Sequence, residues 1–198
     1  MSMKYSVITI GREFCTGGLD IARNVAGRLG APMYDKELIT LAAKESGLSE
    51  QAIAAGEKRP SGSLLYNLYT MGSDLPLSDQ VFVVQSQIIR RLADQGPCVI
   101  VGRCGAYVLR NRTDVLRVFL HAPLEFRRGR AVADGLVPAD ADERAVSAML
   151  EKEDRRRAAY YNFYSEFRWG EAAHYDLCLN AALGENTCAD LILRAAQG

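Results

Sequence analysis

Four short apolar runs punctuate the chain: Val7-Ile8-Thr9-Ile10, Cys98-Val99-Ile100-Val101, Val115 to Leu120, and Tyr175 to Leu179. Each is rich in Val, Ile, Leu or Cys and lacks the strict alternation of a strand with one wet face. They therefore predict strands buried on both sides, as in a parallel sheet covered by helices. Between them, apolar positions recur at spacings of three and four. Ile21, Ala22, Val25, Ala26 and Leu29 form one such stripe, with Gly30 where a helix C-cap would stop it. Asp79 to Gln95 forms a second through Phe82, Gln85, Ile88, Ile89 and Leu92, closed by Gly96-Pro97, and Cys188 to Ala196 forms a third. Strands alternating with helices predict a three-layer α/β domain, and no internal repeat is visible.

Two segments interrupt the alternation. Residues 56–79 are rich in Gly, Ser and Pro yet carry Leu64, Leu65, Tyr66, Leu68 and Tyr69. Their composition predicts a long loop with one apolar plug; the alternative is an acceptor-binding lobe or a contact between two copies of the chain. Residues 140–170 are helical in pattern and dense in Arg and Tyr. An insertion between the third and fourth strands, near the strand ends, is where an α/β enzyme places a lid.

Composition narrows the function classes. The 198 residues are 48% hydrophobic and 24% charged, enough for one folding unit with a sizeable core and unlike a disordered chain. Lys+Arg and Asp+Glu both number 24, so the formal charge is zero. That excludes a polycationic surface for nucleic acid and requires any anion site to arise from local segregation of charge. No apolar run reaches the roughly 18–20 residues that span a bilayer, and the opening MSMKYSVITIGRE is too short in its apolar part for a secretory leader. The chain is accordingly expected in the cytoplasm, with neither a nucleic-acid nor a membrane partner. The five cysteines (15, 98, 104, 178 and 188) are odd in number and form no CxxC pair, so neither a disulfide framework nor a zinc site is expected. Cys98 and Cys178, inside apolar runs, are expected to be small buried hydrophobes.

The candidate chemistry begins after the first strand, where Gly11-Arg12-Glu13-Phe14-Cys15-Thr16-Gly17-Gly18 runs straight into a helix. Glycines allow the tight turn, and backbone N–H groups at the helix start converge on an anion that also gains from the helix dipole. Against the phosphate-binding pattern G-x-x-x-x-G-K-[ST], Gly17 falls at the second Gly, Gly18 at the Lys and Leu19 at the metal-binding hydroxyl. The stretch from Gly11 to Gly17 is one residue longer than standard. Arg12 or a later arginine is the candidate replacement cation, and Thr16 the candidate hydroxyl. The plain alternative is a glycine turn that only closes a βα unit.

Further anion signals follow. Gly102 lets a ligand approach the end of the second apolar run, and Arg103 beside it is a candidate phosphate clamp. Glu151 to Arg157 (EKEDRRR) holds four basic and three acidic residues, a balance suited either to a solvated helix face or to a helix that brings Arg156 and Arg157 over a phosphate chain. Asp154 and Arg157 stand one turn apart and can face the same way. Arg127, Arg128 and Arg130 are expected on the surface. His121 and His174 lack metal-ligand spacing, and no Ser/His/Asp or Cys/His arrangement is readable. The rings of YYNFYSEFRW (160–169) are suited to stacking on a base or to packing a helix on the core.

In this order the residues resemble the cytidylate kinase-like family of P-loop nucleoside-monophosphate kinases, most closely the branch that opens with IGRE-x-x-x-GG. The likeness covers nearly the whole chain. Leu29 to Leu38 (LGAPMYDKEL) is similar to the stretch leading to the acceptor region, and Val99 to Cys104 to a V-x-x-GRD strand. Val118 to Pro123 resembles the strand before an arginine-bearing helix, Asp154 to Arg157 a D-R-x-R lid motif, and Trp169 to Asn180 a closing W-G…Y-D-x-x-x-N. The resemblance implies a three-layer P-loop kinase core with a parallel sheet, a helical lid and acceptor-binding insertions. It implies one domain over 1–198, with the acceptor region at 36–96 and the lid at 140–170. ATP with Mg²⁺ would be the donor, and a nucleoside monophosphate or similar small molecule the acceptor. Gly11, Arg12, Glu13, Thr16, Gly17 and Gly18 would hold the donor phosphates, with Thr16 toward the metal. Arg103 and Arg157, with Arg12 and Arg156, would grip transferring or acceptor phosphate, Asp35 would open the acceptor region, and Asp154 would approach the acceptor sugar.

Val101 and Cys104 stand where cytidylate kinases carry carboxylates. A carboxylate that accepts from an exocyclic amine is what reads cytosine, so the resemblance implies a kinase without implying CMP. Two alternatives stay open: a nucleotide-binding regulatory protein that has lost turnover, and a kinase with a non-nucleotide acceptor.

Overall fold

The computed structural model describes residues 3–56 and 76–198. Its strands are β1 (Val7–Arg12), β2 (Met33–Tyr34), β3 (Cys98–Val101), β4 (Val115–His121) and β5 (Leu177–Asn180), joined in one parallel sheet in the order β2-β3-β1-β4-β5. Val7 pairs with Cys98 on one side and Val115 on the other, so β1 is central. Helices cover both of its faces, and Val7, Ile8 and Ile10 are fully buried. This double burial is why the run is apolar except for Thr9, itself buried.

The helices are α1 (Gly18–Leu29), α2 (Glu37–Ser46), α3 (Glu50–Gly56), α4 (Leu77–Gln95), the four-residue α5 (Gly105–Val108), α6 (Leu124–Ala133), α7 (Glu143–Tyr164) and α8 (Glu185–Gln197). Ile21 and Val25 of α1 pack with Cys188 and Ile192 of α8 against Ile8, Val99 and Leu116 on one face. On the other face, Leu38, Ile53, Ile88, Ile89 and Tyr160 from α2, α3, α4 and α7 cover Val7, Ile100 and Val115. The three layers expected from the alternation are present. Gly30 caps α1 in the left-handed conformation (φ 62°), its N–H donating to the carbonyls of Ala26 and Gly27. A third, smaller cluster joins Cys15 to Ala131 of α6 and to Val146 and Leu150 of α7.

Three readings need correction. β2 adds a fifth strand at residues whose two-residue length left no pattern to read. The last strand begins at Leu177, and Tyr175 instead packs its ring against Phe119, with centroids 5.1 Å apart. Cys178 is exposed rather than buried. β5 is an edge strand whose Leu177 and Leu179 turn toward the α1/α8 layer, so Cys178 faces the opposite, thinly covered side. The Leu64–Tyr69 run lies outside the described residues. Among those described, no helix is long and apolar enough to cross a membrane.

Candidate functional site

The chain leaves β1 for the β2/β3 side of the sheet and later returns to its other side through β4. The carboxyl ends of β1 and β3 therefore form a topological switch point, where open α/β sheets leave a crevice for ligands. Both glycine-arginine motifs meet there.

Beyond β1 the chain turns through Cys15 (φ 58°) and Gly17 (φ 71°) into α1. The Thr16 hydroxyl is buried and donates to the Glu13 carbonyl at 3.0 Å. Among the described residues, the amides of Gly17, Gly18 and Leu19 have no protein acceptor, which leaves the positive end of α1 open. A Cβ on Gly17 would lie 3.3 Å from Nη1 of Arg130, so that guanidinium lies against the turn while pairing with Asp20 and Asp134. A cavity of about 300 Å³ opens over the turn, lined also by Arg12, Arg23 and Arg157.

The turn is braced from beneath. Glu13 accepts the Ala122 N–H at 3.0 Å, and its carboxylate is 3.0 Å from Nη1 of Arg127. The same Nη1 lies 2.6 Å from Oδ2 of Asp154, whose other oxygen accepts the Phe14 N–H at 2.7 Å. Arg127 was expected on the surface, yet its side chain is only 5% exposed. Burial alone would lower its pKa, but hydrogen bonding and charge from Asp154, joined by Glu13, hold it above the ordinary value. Arg128 and Arg130 are partly exposed, as expected of surface residues, and pair with carboxylates. Sequence reasoning missed Arg127 and the placement of Arg130. The available signal was their spacing of three, which puts both on one face of α6.

Asp154 and Arg157 do face the same way, and both hold the turn: Nη1 of Arg157 donates to the Arg12 carbonyl at 3.0 Å, with its guanidinium over the Phe14 ring. The carboxylate of Asp154 is thus engaged with the turn and Arg127. Arg12, mostly buried, reaches across the crevice to Asp35, with Nη2 to Oδ1 at 3.4 Å. Burial, then repulsion from Arg157, lowers the Arg12 pKa to about 10, with Asp35 opposing the change and Arg103 adding to it. Burial likewise lowers that of Arg157, against the pull of Asp154.

At the end of β3, Gly102, Arg103 and Cys104 are left-handed in succession (φ 75°, 52° and 57°). For the two non-glycine residues this costs on the order of 1–2 kcal/mol each, strain of the kind that collects at ligand sites. Between this turn, β1 and α7 lies a cavity of about 270 Å³. Arg12, Arg103, Arg156 and Arg157 supply its charge, and Tyr160, Tyr161, Trp169 and Tyr175 its aromatic wall. Trp169 packs edge-on to Phe119, with centroids 5.1 Å apart. Among the described residues no carboxylate lines this cavity, and Val101 and Cys104 are buried. Arg12 and Arg157 line both cavities. No group of three or more His, Cys, Asp or Glu suited to a metal occurs among the described residues.

The structure therefore brings Gly11, Arg12, Arg103, Arg156 and Arg157 together at one cavity, and Arg12, Glu13, Thr16, Gly17 and Gly18 at the other. Asp35 reaches them through Arg12, and Asp154 through the turn.

A model of the cytidylate kinase-like family matches residues 7–182. No curated protein matches the chain. Among solved structures, an uncharacterized protein from Eubacterium ventriosum ATCC 27560 is 26% identical, with 95% of this chain and 96% of that one covered and a TM-score of 0.71. A shikimate kinase from Bacteroides thetaiotaomicron is 11% identical, with 95% and 96% covered and a TM-score of 0.55. A gluconokinase from Sinorhizobium meliloti 1021 is 16% identical, with 98% and 93% covered and a TM-score of 0.55. The fold of this chain is that of the P-loop kinases.

Proposed function

The chain belongs to the cytidylate kinase-like family, and from that membership we propose that it is a phosphotransferase moving the γ-phosphoryl group of ATP to a small phosphorylated acceptor, a nucleoside monophosphate first. The observation that carries this reading is the cavity of four arginines abutting the glycine turn, in which no carboxylate is found among the described residues. At an effective dielectric of about 20, two unit charges about 6 Å apart repel by about 3 kcal/mol, so a cluster of this kind favours binding of an anion. A phosphate dianion supplies the missing charge, and the tyrosine and tryptophan rings supply a surface for a planar group.

The donor side fits a polyphosphate. The open amides of Gly17, Gly18 and Leu19 are hydrogen-bond donors for its oxygens, and Arg12 and Arg157 stand between the two cavities. Mg²⁺, when bound with the nucleotide, would neutralise phosphate charge, and Thr16 is the hydroxyl that would face it. We assign 140–170 to the lid and 36–96 to the acceptor region within a single domain. In this reading Asp154 serves the lid by fastening α7 to the turn.

With Val101 and Cys104 buried and no carboxylate on the wall among the described residues, the base is held by its faces rather than by its amine edge. A coupled assay with Mg²⁺, ATP and a panel of nucleoside monophosphates, shikimate and gluconate is expected to show ADP formation with a nucleotide, CMP and UMP differing by less than about tenfold in kcat/KM. Absence of ADP with every acceptor would count against turnover. The second reading, a nucleotide-binding protein without turnover, draws support from Gly18, which places no cation on the turn. It predicts ADP binding by calorimetry beside a silent assay.

A further inference from the structure

We infer that Arg12, projecting from the end of β1, occupies the place and takes over the role of the lysine that Gly18 lacks, and that residues 12 and 18 therefore exclude one another. The ligand in this inference rests on the phosphotransferase reading; the steric part stands on the free protein.

The stem of Arg12 fills the space into which a side chain at position 18 would grow. A Cβ built on Gly18 would lie 3.1 Å from Cγ and 3.2 Å from Cβ of Arg12, with Leu120 Cδ1 at 3.3 Å on the other side. These are tighter than ordinary van der Waals contacts, and the Arg12 atoms involved are next to its backbone. They cannot swing aside as the far end of a side chain can. Glycine at 18 is thus a packing requirement set by Arg12.

The far end of Arg12 arrives where a bridging cation is needed. A Cβ on Gly102 would lie 2.5 Å from Arg12 Nη1, so the guanidinium lies against the end of β3. The Gly102 N–H, donating to Ile10 at 3.0 Å, holds that strand end beside β1. One side chain therefore runs from the open amides of α1 to the arginine-rich cavity and lines both cavities. Its pairing with Asp35 is a single contact at 3.4 Å, which leaves most of the five N–H donors for phosphate oxygens. A lysine at 18 would offer a point charge to one phosphate chain, whereas the planar fork of Arg12 can bind oxygens on either side.

The test compares wild type with Arg12→Ala, Gly18→Lys and the double variant, as the full chain. In thermal melts without ligand, Gly18→Lys is expected to lower Tm by roughly 2–12 °C, and Arg12→Ala in the same molecule, which removes the Cγ contact but keeps Cβ, to recover part of that loss. In calorimetric titrations with ADP, Arg12→Ala is expected to weaken binding about 10–100-fold, and the double variant to regain at least tenfold. Arg12→Met keeps the stem and removes the charge; it is expected to bind ADP as poorly as Arg12→Ala and still to clash with Gly18→Lys. Additive Tm changes would overturn the mutual exclusion. Tight ADP binding by wild type with no regain in the double variant would overturn the lysine-like role while leaving the kinase reading intact. Wild type that binds neither ADP nor ATP would overturn the kinase reading and the phosphate role together.

Discussion

Arg157→Ala is expected to lower the rate of ADP formation by about 10³-fold or more while the chain stays folded. An arginine that meets charge developing on a transferring phosphoryl group contributes on the order of 10³–10⁵ in rate, and Arg157 lines both the turn cavity and the arginine-rich cavity. Its structural contribution is small by comparison: one hydrogen bond to the Arg12 carbonyl and a contact over Phe14. Against that loss stands relief of the repulsion that Arg157 exerts on buried Arg12. Steady-state kinetics should show the fall in kcat, with ADP affinity reduced far less. Arg157→Lys keeps the charge but not the fork and should recover part of the rate. If kcat held and only KM rose, Arg157 would be a ground-state grip on a phosphate and not a participant in the transition state.

The largest effect on stability is expected at Arg127. Arg127→Met leaves the carboxylates of Glu13 and Asp154, both mostly buried, facing each other without the cation they share. Breaking such a group from one side costs about 3–5 kcal/mol. Because water still reaches both carboxylates, the lower end is expected, a fall in Tm of about 6–12 °C for a chain of this length. The triple variant Glu13→Gln, Arg127→Met, Asp154→Asn removes the unbalanced charge and should recover much of the loss. ADP binding should fall with Arg127→Met, since Glu13 and Phe14 belong to the turn. Unchanged stability would show that the three groups are independently solvated.

What could be read from the sequence, and what could not, divides along the range of the forces involved. β1, β3 and β4 were legible because burial on both faces leaves a largely apolar run, broken only by Thr9 in β1 and Arg117 in β4, and α1 was legible to its last residue because Gly30 is the cap that ends it. β5 was read two residues early, since Tyr175 is as apolar as a strand residue but packs as a ring against Phe119. Cys178 was misjudged because an edge strand has a protected and an open side, and composition does not say which. The glycine turn and the arginines at 12, 103, 156 and 157 were visible as motifs. Their convergence was not, being a product of strand order. Arg127 was invisible for the same reason: its partners, Glu13 and Asp154, belong to β1's turn and to α7, and nothing in Arg-Arg-Gly-Arg marks which guanidinium turns inward.

Trp169, the sole tryptophan of the sequence, stands edge-on to Phe119 on the wall of the arginine-rich cavity and does not line the cavity over the turn. Its ultraviolet emission is therefore an unlabelled optical report on the arginine-rich cavity alone. A planar ring entering that cavity should quench or shift the indole signal, whereas a bare polyphosphate seated on the α1 amides should leave it nearly unchanged. Fluorescence titration of the native protein can thus tell which of the two cavities a ligand fills without any engineered probe.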